Sequence, residues 1–155
     1  CAGVLHFCGL GYSRAGDKPR PEGGATSDHF IDLEKLAFEP NFERYVRDAF
    51  APVGVMLDYW GQAIPAGEPQ EFKVVVINDL PQAWQGTVRL RILKDGDIVA
   101  GQESPLLVEP LGKRSLSFEQ TVRSEPGQYL LTAELMTPGQ DPVRSIRDMP
   151  IVTAK

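Results

Sequence analysis

Hydrophobic and polar residues alternate with a period of two along most of the chain after Pro52. This period places successive side chains on opposite faces of an extended strand, so that each run has one face for a core. The predicted strands lie at 55–60, 72–77, 88–93, 98–99, 106–108, 116–120, 129–133 and 146–152. Seven or eight short strands without helical patterns between them predict an all-β fold, an immunoglobulin- or fibronectin-like antiparallel β-sandwich.

Turn-forming residues separate these runs. Asp95-Gly96 is a dipeptide that accepts the positive φ angles of a two-residue hairpin, so the strand before it is predicted to fold back at once. Proline and glycine mark three further turns, at 110–112, 126–127 and 138–139. The step from Gly127 into Tyr129 resembles the tyrosine corner of immunoglobulin-like sandwiches. Asn78-Asp79 is interpreted as a strand-ending turn, since it lacks the oxygen spacing of a calcium loop.

The pattern before Pro52 is different. Residues 1–10 (CAGVLHFCGL) are apolar except for His6, which is typical of a strand buried on both faces. Residues 11–27 are rich in Gly, Pro and Ser and predict a long loop. A stripe of apolar residues with helical spacing then predicts a short α-helix over 40–51, after Pro40 and before Pro52. We therefore expect a loop-rich N-terminal segment, 1–52, ahead of a sandwich over 53–155.

Composition and charge exclude several classes of protein. Apolar residues make up 42% of the chain and charged residues 24%, so a packed core is expected. The net charge of −5 and the scattered basic residues argue against a nucleic-acid partner. No apolar run is long enough to span a membrane, and the first residues do not resemble a signal peptide. We expect a soluble chain with no membrane partner.

The two cysteines, Cys1 and Cys8, do not predict a disulfide or a metal site. Seven residues span roughly 23 Å in a strand and roughly 10 Å in a helix, and both exceed the Cα separation of a disulfide. No Cys or His stands beside them at zinc-ligand spacing, so we interpret them as small buried hydrophobic residues. We predict no metal and no cofactor. The cysteines do not indicate the cellular compartment.

Two segments, 38–60 (FEPNFERYVRDAFAPVGVMLDYW) and 72–96 (FKVVVINDLPQAWQGTVRLRILKDG), together resemble the C-terminal part of bacterial glycoside hydrolases of the β-galactosidase and β-glucuronidase family. In that family a (β/α)8 barrel is flanked by immunoglobulin-like sandwiches. The resemblance implies that 1–10 is the last barrel strand, that the loop through His29 follows it, and that the helix closes the barrel. It also places the catalytic carboxylates on earlier barrel strands, before Cys1, so no catalytic residue is nominated here.

The candidates for carbohydrate contact are His6, Tyr12, His29, Trp60 and Trp84. The first three fall on the implied barrel strand and its following loop, where active-site groups project; the alternatives are a structural histidine and ordinary loop residues. The two tryptophans lie near strand ends, where an exposed indole stacks on a sugar ring through its apolar face. The alternative for both is packing in the core or between domains.

The sequence thus favours a non-catalytic accessory sandwich of a carbohydrate-degrading hydrolase, whose partner is the catalytic barrel of the parent polypeptide. The alternative is an independent module that binds saccharide or a protein. A complete small enzyme is the least favoured hypothesis, because the chain has no phosphate-binding glycine loop, zinc-binding helix or nucleophile elbow.

Overall fold

The computed structural model describes residues 30–32, 35 and 37–154. The chain divides into two compact units, Cys1–Arg47 and Asp48–Lys155. The first unit contains strand β1 (Phe30–Asp32), strand β2 (Ala37–Phe38), which pairs with β1 antiparallel, and helix α1 (Pro40–Val46). The predictions for 1–10, for 11–27 and for His6, Tyr12 and His29 lie outside the described residues.

Helix α1 begins where the sequence predicts but ends earlier. The Glu39 carboxylate accepts the backbone N–H of Phe42 at 2.8 Å and caps the first turn. The predicted end at residue 51 is wrong, because the chain tightens into a short 3₁₀ turn, Asp48–Phe50. Phe50 is 52% exposed, so the apolar stripe does not continue as a buried helix face. Residues from Asp48 onward belong to the second unit.

The second unit is the predicted β-sandwich, and the all-β fold class is confirmed. Its strands are β3 (Val53–Asp58), β4 (Ile64–Pro65), β5 (Pro69–Asn78), β6 (Trp84–Lys94), β7 (Asp97–Val108), β8 (Lys113–Thr121), β9 (Gly127–Met136) and β10 (Val143–Val152). One sheet has the order β4-β10-β9-β6-β7 and the other the order β3-β5-β8. Pairing is antiparallel except between β4 and β10, which run parallel.

Two strands differ from the prediction. The runs at 98–99 and 106–108 are one continuous strand, β7, which passes through Pro105. Proline has no backbone N–H to donate to a neighbouring strand. It is tolerated in β7 because this strand is at the edge of the sheet and pairs with β6 on one side only. Strand β4 was not predicted, because two residues are too few to show a period.

The core lies between the two sheets. Phe72 on β5 and Phe118 on β8 are directly opposite each other and both are buried. Leu90 on β6 and Leu131 on β9 are also buried and belong to the same cluster. Fully burying each such side chain contributes about 1.5–3 kcal/mol to folding. These residues occupy alternate strand positions, as the two-residue period predicted.

Two predicted turns are confirmed. Asp95 and Gly96 have φ angles of 52° and 95° and connect β6 directly to β7. The Tyr129 hydroxyl donates to the carbonyl of Glu125 at 2.8 Å, four residues upstream, which is the bond that defines a tyrosine corner.

Side chains close one edge of the sandwich, between β3 and β10. The N–H of Leu57 donates to Ser145 Oγ at 3.1 Å, and the carbonyl of Leu57 accepts from Arg147 Nη2 at 3.2 Å. The buried Asp48 carboxylate accepts the N–H of Arg144 at 3.1 Å. An open strand edge carries unpaired backbone groups, and these three bonds satisfy some of them on both strands.

Candidate functional site

Trp60 is the most exposed aromatic side chain among the described residues of the sandwich. It follows the end of β3, and its indole is 73% exposed. Its Nε1–H donates to Asp58 Oδ1 at 2.8 Å, and the Arg147 guanidinium carbon lies 4.3 Å from the ring centroid. Two neighbours thus hold the ring, although most of its surface faces solvent.

The charges around Trp60 stabilise the ionised form of Asp58. Hydrogen bonds from Trp60 and from Lys73, whose Nζ is 3.1 Å from Asp58 Oδ2, lower the pKa of this carboxyl group below its ordinary value of 3.8. The positive charges of Lys73 and Arg147 add to this effect. Asp58 is therefore an acceptor and not an acid at neutral pH. In the adjacent Tyr59, burial raises the pKa of the phenol.

We call Asp58, Trp60, Lys73 and Arg147 the Trp60 cluster. It offers an apolar ring face, a carboxylate acceptor and cationic donors within one patch. These are the contacts through which proteins bind sugars, since sugar rings carry apolar C–H faces and hydroxyl groups. The sequence predicted Trp60 as a candidate, but it did not reveal Arg147, which comes from the distant strand β10.

Trp84, the other candidate tryptophan, lies in the core. It is 7% exposed, and its Nε1–H donates to Thr137 Oγ1 at 2.9 Å. Gly86 leaves room for the ring, because a Cβ there would lie 2.5 Å from Trp84 Cζ2. Trp84 lines a small cavity with Val53, at the start of β3, whereas Trp60 follows the other end of that strand. The two indoles do not form one platform.

A second polar cluster lies on the outer face of the five-stranded sheet. Glu134 on β9 is 7% exposed, and its oxygens contact Arg144 Nε at 3.2 Å and Arg91 Nη1 at 3.5 Å. On the neighbouring strands β6 and β7, Arg89 Nε lies 2.9 Å from Glu103 Oε2. Glu134 is thus a buried carboxylate on an outward strand position, held by two arginines. The outward arginines of β6 were the available signal, but only the β6–β9 register brings them to Glu134.

Thr132 lies two residues before Glu134 on the same strand, and its buried Oγ1 has no hydrogen-bond partner.

Asn78 is fully buried at the end of β5. Its Nδ2 donates to the carbonyls of Gln82 at 2.8 Å and Glu109 at 3.1 Å, and its Oδ1 accepts from Leu80 N–H. Its amide is thus fully used in holding two loops to the strand end, as befits a strand-ending turn.

Within the described part of the chain, no group of three or more His, Cys, Asp or Glu residues lies close enough to hold a metal ion. The helices described there include none that is long and apolar enough to cross a membrane.

The chain matches no protein-family model and no curated protein sequence. Among solved structures it is similar to a Pseudomonas fluorescens alkylpurine DNA glycosylase bound to DNA, with 14% identity and a TM-score of 0.51 over 66% of this chain and 31% of the glycosylase. It is also similar to a mutant Salmonella alpha-2-macroglobulin, with 16% identity and a TM-score of 0.50 over 67% of this chain and 7% of the other.

A Paenibacillus cycloisomaltooligosaccharide glucanotransferase matches with 21% identity and a TM-score of 0.47, over 64% of this chain and 13% of the enzyme. The chain therefore spans less than a third of each of these three proteins. The first two likenesses show a shared β-sandwich fold that occurs as a minor part of larger polypeptides. At such identities a shared fold carries no activity with it.

Proposed function

We propose that the sandwich is a non-catalytic accessory domain of a larger carbohydrate-active enzyme, in which it supports a catalytic barrel. The observation that carries this proposal is that the buried polar side chains of the sandwich form hydrogen bonds and ion pairs within the sandwich itself. Asn78 holds two loops, Asp48 closes the β3–β10 edge, and Glu134 joins β9 to its neighbours. A domain of this kind is a stable support.

The link to carbohydrate comes from the resemblance of 38–60 and 72–96 to the C-terminal part of β-galactosidase-family hydrolases. The carboxylates of the sandwich give no reason to assign the hydrolysis to this unit. A retaining glycosidase needs one carboxyl group with a raised pKa as its acid. The pKa of Asp58 is shifted in the opposite direction, and both oxygens of Glu134 contact arginines.

The test begins with the open reading frame that encodes this chain, which is expected to encode a hydrolase barrel before Cys1. Deleting 48–155 from that protein should lower the melting temperature of the barrel while leaving its preference among nitrophenyl glycosides unchanged. A reading frame without a hydrolase would contradict the proposal. So would glycoside hydrolysis by the 155-residue chain that disappears in Asp58→Asn or Glu134→Gln.

A second candidate function is favoured by the Trp60 cluster. A saccharide would stack on the indole and bond to Asp58 and Arg147, so that the sandwich would also hold the substrate of its parent enzyme. Calorimetric titration with a panel of neutral oligosaccharides should give saturable heat that Trp60→Ala abolishes. The matched control is Leu111→Ala, at a position that is 74% exposed but outside the cluster. Saturable heat of the same size in Trp60→Ala and in the parent would contradict this function.

A further inference from the structure

Contacts that begin on three strands hold the indole of Trp60. Its Nε1–H donates to Asp58 Oδ1 at 2.8 Å, on β3, and Asp58 Oδ2 lies 3.1 Å from Lys73 Nζ on β5. From β10, the Arg147 guanidinium lies over the ring, with its carbon 4.3 Å from the ring centroid. An exposed side chain without such contacts changes rotamer, and a ligand that binds it bears the entropic cost of ordering it. The indole of Trp60 is already ordered before a ligand arrives.

Arg147 is itself attached to the sandwich. Its Nη2 donates to the carbonyl of Leu57 at 3.2 Å, so the guanidinium is fixed at one corner while it stacks on the ring of Trp60. Arginine suits this position because its guanidinium is planar and weakly hydrated, whereas the compact ammonium group of lysine is a poor substitute at a stacked site. An indole has two faces for stacking, and the guanidinium covers one of them. A single face is therefore left for a ligand.

The sandwich, which is described over 48–154, offers no second exposed ring beside Trp60. Phe50 is 52% exposed, but it precedes β3 whereas Trp60 follows it, and the six residues of this strand span roughly 20 Å. Tyr59 packs on Phe72, with ring centroids 4.9 Å apart. The other aromatic residues of the sandwich are buried in its core: Phe72, Trp84, Phe118 and Tyr129. A long saccharide that stacks on a row of rings has no such row here.

We propose that Arg147 is a positioning residue, which holds the indole of Trp60 with one face open, and that this open face takes a single sugar unit. The inference rests on the saccharide-binding function proposed for the Trp60 cluster. The sugar packs its apolar C–H face on the ring, and its hydroxyl groups donate to Asp58, whose oxygens have room for further hydrogen bonds. The guanidinium lies on the opposite side of the ring and reaches the sugar only around the ring edge. Its larger contribution to affinity is to order the indole.

Arg147 also closes the edge between β3 and β10, and this structural role can be separated from the positioning role. Ser145 makes another side-chain bond across the same edge, since its Oγ accepts the N–H of Leu57 at 3.1 Å. That bond does not involve the indole. Ser145→Ala therefore loosens the edge without removing the stacked guanidinium, which makes it the matched control for Arg147→Lys.

The first experiment needs no ligand. NMR spectra of the 155-residue chain contain one indole N–H resonance from each of its two tryptophans, and Trp60→Phe assigns them. The heteronuclear NOE of the Trp60 indole should match that of the buried Trp84 indole in the parent and in Ser145→Ala, and fall in Arg147→Lys. Circular dichroism melts confirm that the variants are folded. An indole that is equally mobile in the parent and in Arg147→Lys would overturn the positioning role.

The second experiment follows the Trp60 resonance while methyl β-glucoside, methyl β-galactoside and longer β-linked oligosaccharides of the same sugars are added. We expect saturable shifts whose dissociation constants differ by less than about threefold among the lengths of one series. Arg147→Lys should weaken binding by about tenfold, and Ser145→Ala should leave it unchanged.

The outcomes separate this inference from the binding function on which it rests. Affinity that rises by more than about tenfold along a series would overturn the single-unit site while leaving saccharide binding intact. Equal losses in Arg147→Lys and Ser145→Ala would assign Arg147 to the strand edge alone and overturn its positioning role. The absence of any saturable shift with these sugars would overturn both the binding function and the inference.

Discussion

At the scale of single residues, Asn78 shows how much one buried amide organises. It donates to two loop carbonyls and accepts a backbone N–H, so truncation would leave several buried groups unpaired. We predict that Asn78→Ala lowers the free energy of unfolding by about 3 kcal/mol, as measured by urea denaturation. Gln128→Ala, on an exposed position of β9, is the control and should change it by less than about 0.5 kcal/mol.

Asn78→Asp separates the donor role of this residue from its acceptor role. The carboxylate keeps an acceptor for Leu80 but faces the loop carbonyls without a proton, so the variant should be weakest at neutral pH and recover partly in acid. A loss below about 1 kcal/mol in Asn78→Ala would mean that water replaces the amide at little cost.

The Trp60 cluster makes a pH-dependent contribution through Asp58. Its folded-state pKa is lowered, so the ionised form binds its neighbours more tightly in the folded chain than in the unfolded one. This stability is present above the unfolded pKa of about 4 and is lost as the pH falls through the folded pKa. We predict that Asp58→Asn is less stable than the parent at pH 7 and that the difference shrinks below about pH 4.

Urea midpoints measured from neutral pH down to the acid limit would check this prediction. Glu119→Gln, which removes one charge at an exposed position of β8, controls for net charge. A difference between Asp58→Asn and the parent that stays constant through the acid range would contradict the linkage, since it would then not depend on ionisation of Asp58.

The two tryptophans show where prediction from sequence stops at the residue scale. Both stand near strand ends in the sequence, yet Trp60 is 73% exposed and Trp84 is 7% exposed. The difference arises from Gly86 and Thr137, which give the Trp84 ring space and a hydrogen-bond acceptor. Neither contact follows from local periodicity, because one depends on close packing and the other on a residue from the turn after β9.

At the scale of elements, the β6–β7 hairpin depends on its two turn residues. Gly96 has a φ of 95°, in a region that strains any residue with a Cβ. We predict that Gly96→Ala lowers the free energy of unfolding by about 1 kcal/mol, whereas Asp95→Asn is nearly neutral because asparagine accepts positive φ. Urea denaturation would measure both changes.

Gly54→Ala is the matched control for this glycine. It lies in β3 without a positive φ, and the nearest atom to an added Cβ is 3.9 Å away, so a methyl group fits there. If both alanine variants had the same stability, backbone strain at the turn would not be the cause of the Gly96 effect.

The elements also show which strands a period of two reveals. The long strand β6 follows the alternation closely, whereas in β9 the outward Thr132 and Glu134 are buried as well. Strand β4 escapes because its two residues show no period. Strand β7 was predicted as two runs, 98–99 and 106–108, because residues 100–105 (AGQESP) do not alternate between apolar and polar. Helix α1 was extended too far because an apolar stripe shows spacing but not burial.

At the scale of the whole molecule, the sequence does not predict the side-chain contacts between strands that are distant along the chain. The sandwich follows from local alternation, but Arg147 reaches Trp60 only because β10 and β3 close the same edge. Glu134 meets Arg91 only through the β6–β9 register. The candidate site was therefore predicted as one residue, Trp60, without the charged side chains that hold it.

One core joins both sheets, and this determines how the sandwich unfolds. Its buried residues lie between Val53 and Ile151, and both sheets contribute to the cluster. We predict that 48–155 folds without the first unit and unfolds in a single urea transition. Trp84 fluorescence, read in a Trp60→Phe background, and far-UV circular dichroism should give the same midpoint. Leu131→Ala, in the core, should lower the free energy of unfolding by about 3 kcal/mol by either probe.

The comparison with the full chain makes this prediction decisive. The buried Asp48 is retained in 48–155, so its bond to Arg144 and the closed β3–β10 edge are retained as well. Starting the chain at Val53 instead removes that bond and also the bond from the Asp79 N–H to the Pro52 carbonyl, so the midpoint should fall further than Asp48→Ala lowers it in 48–155. Separate transitions for the two probes would show that the sheets unfold independently and that the shared core does not make them cooperative.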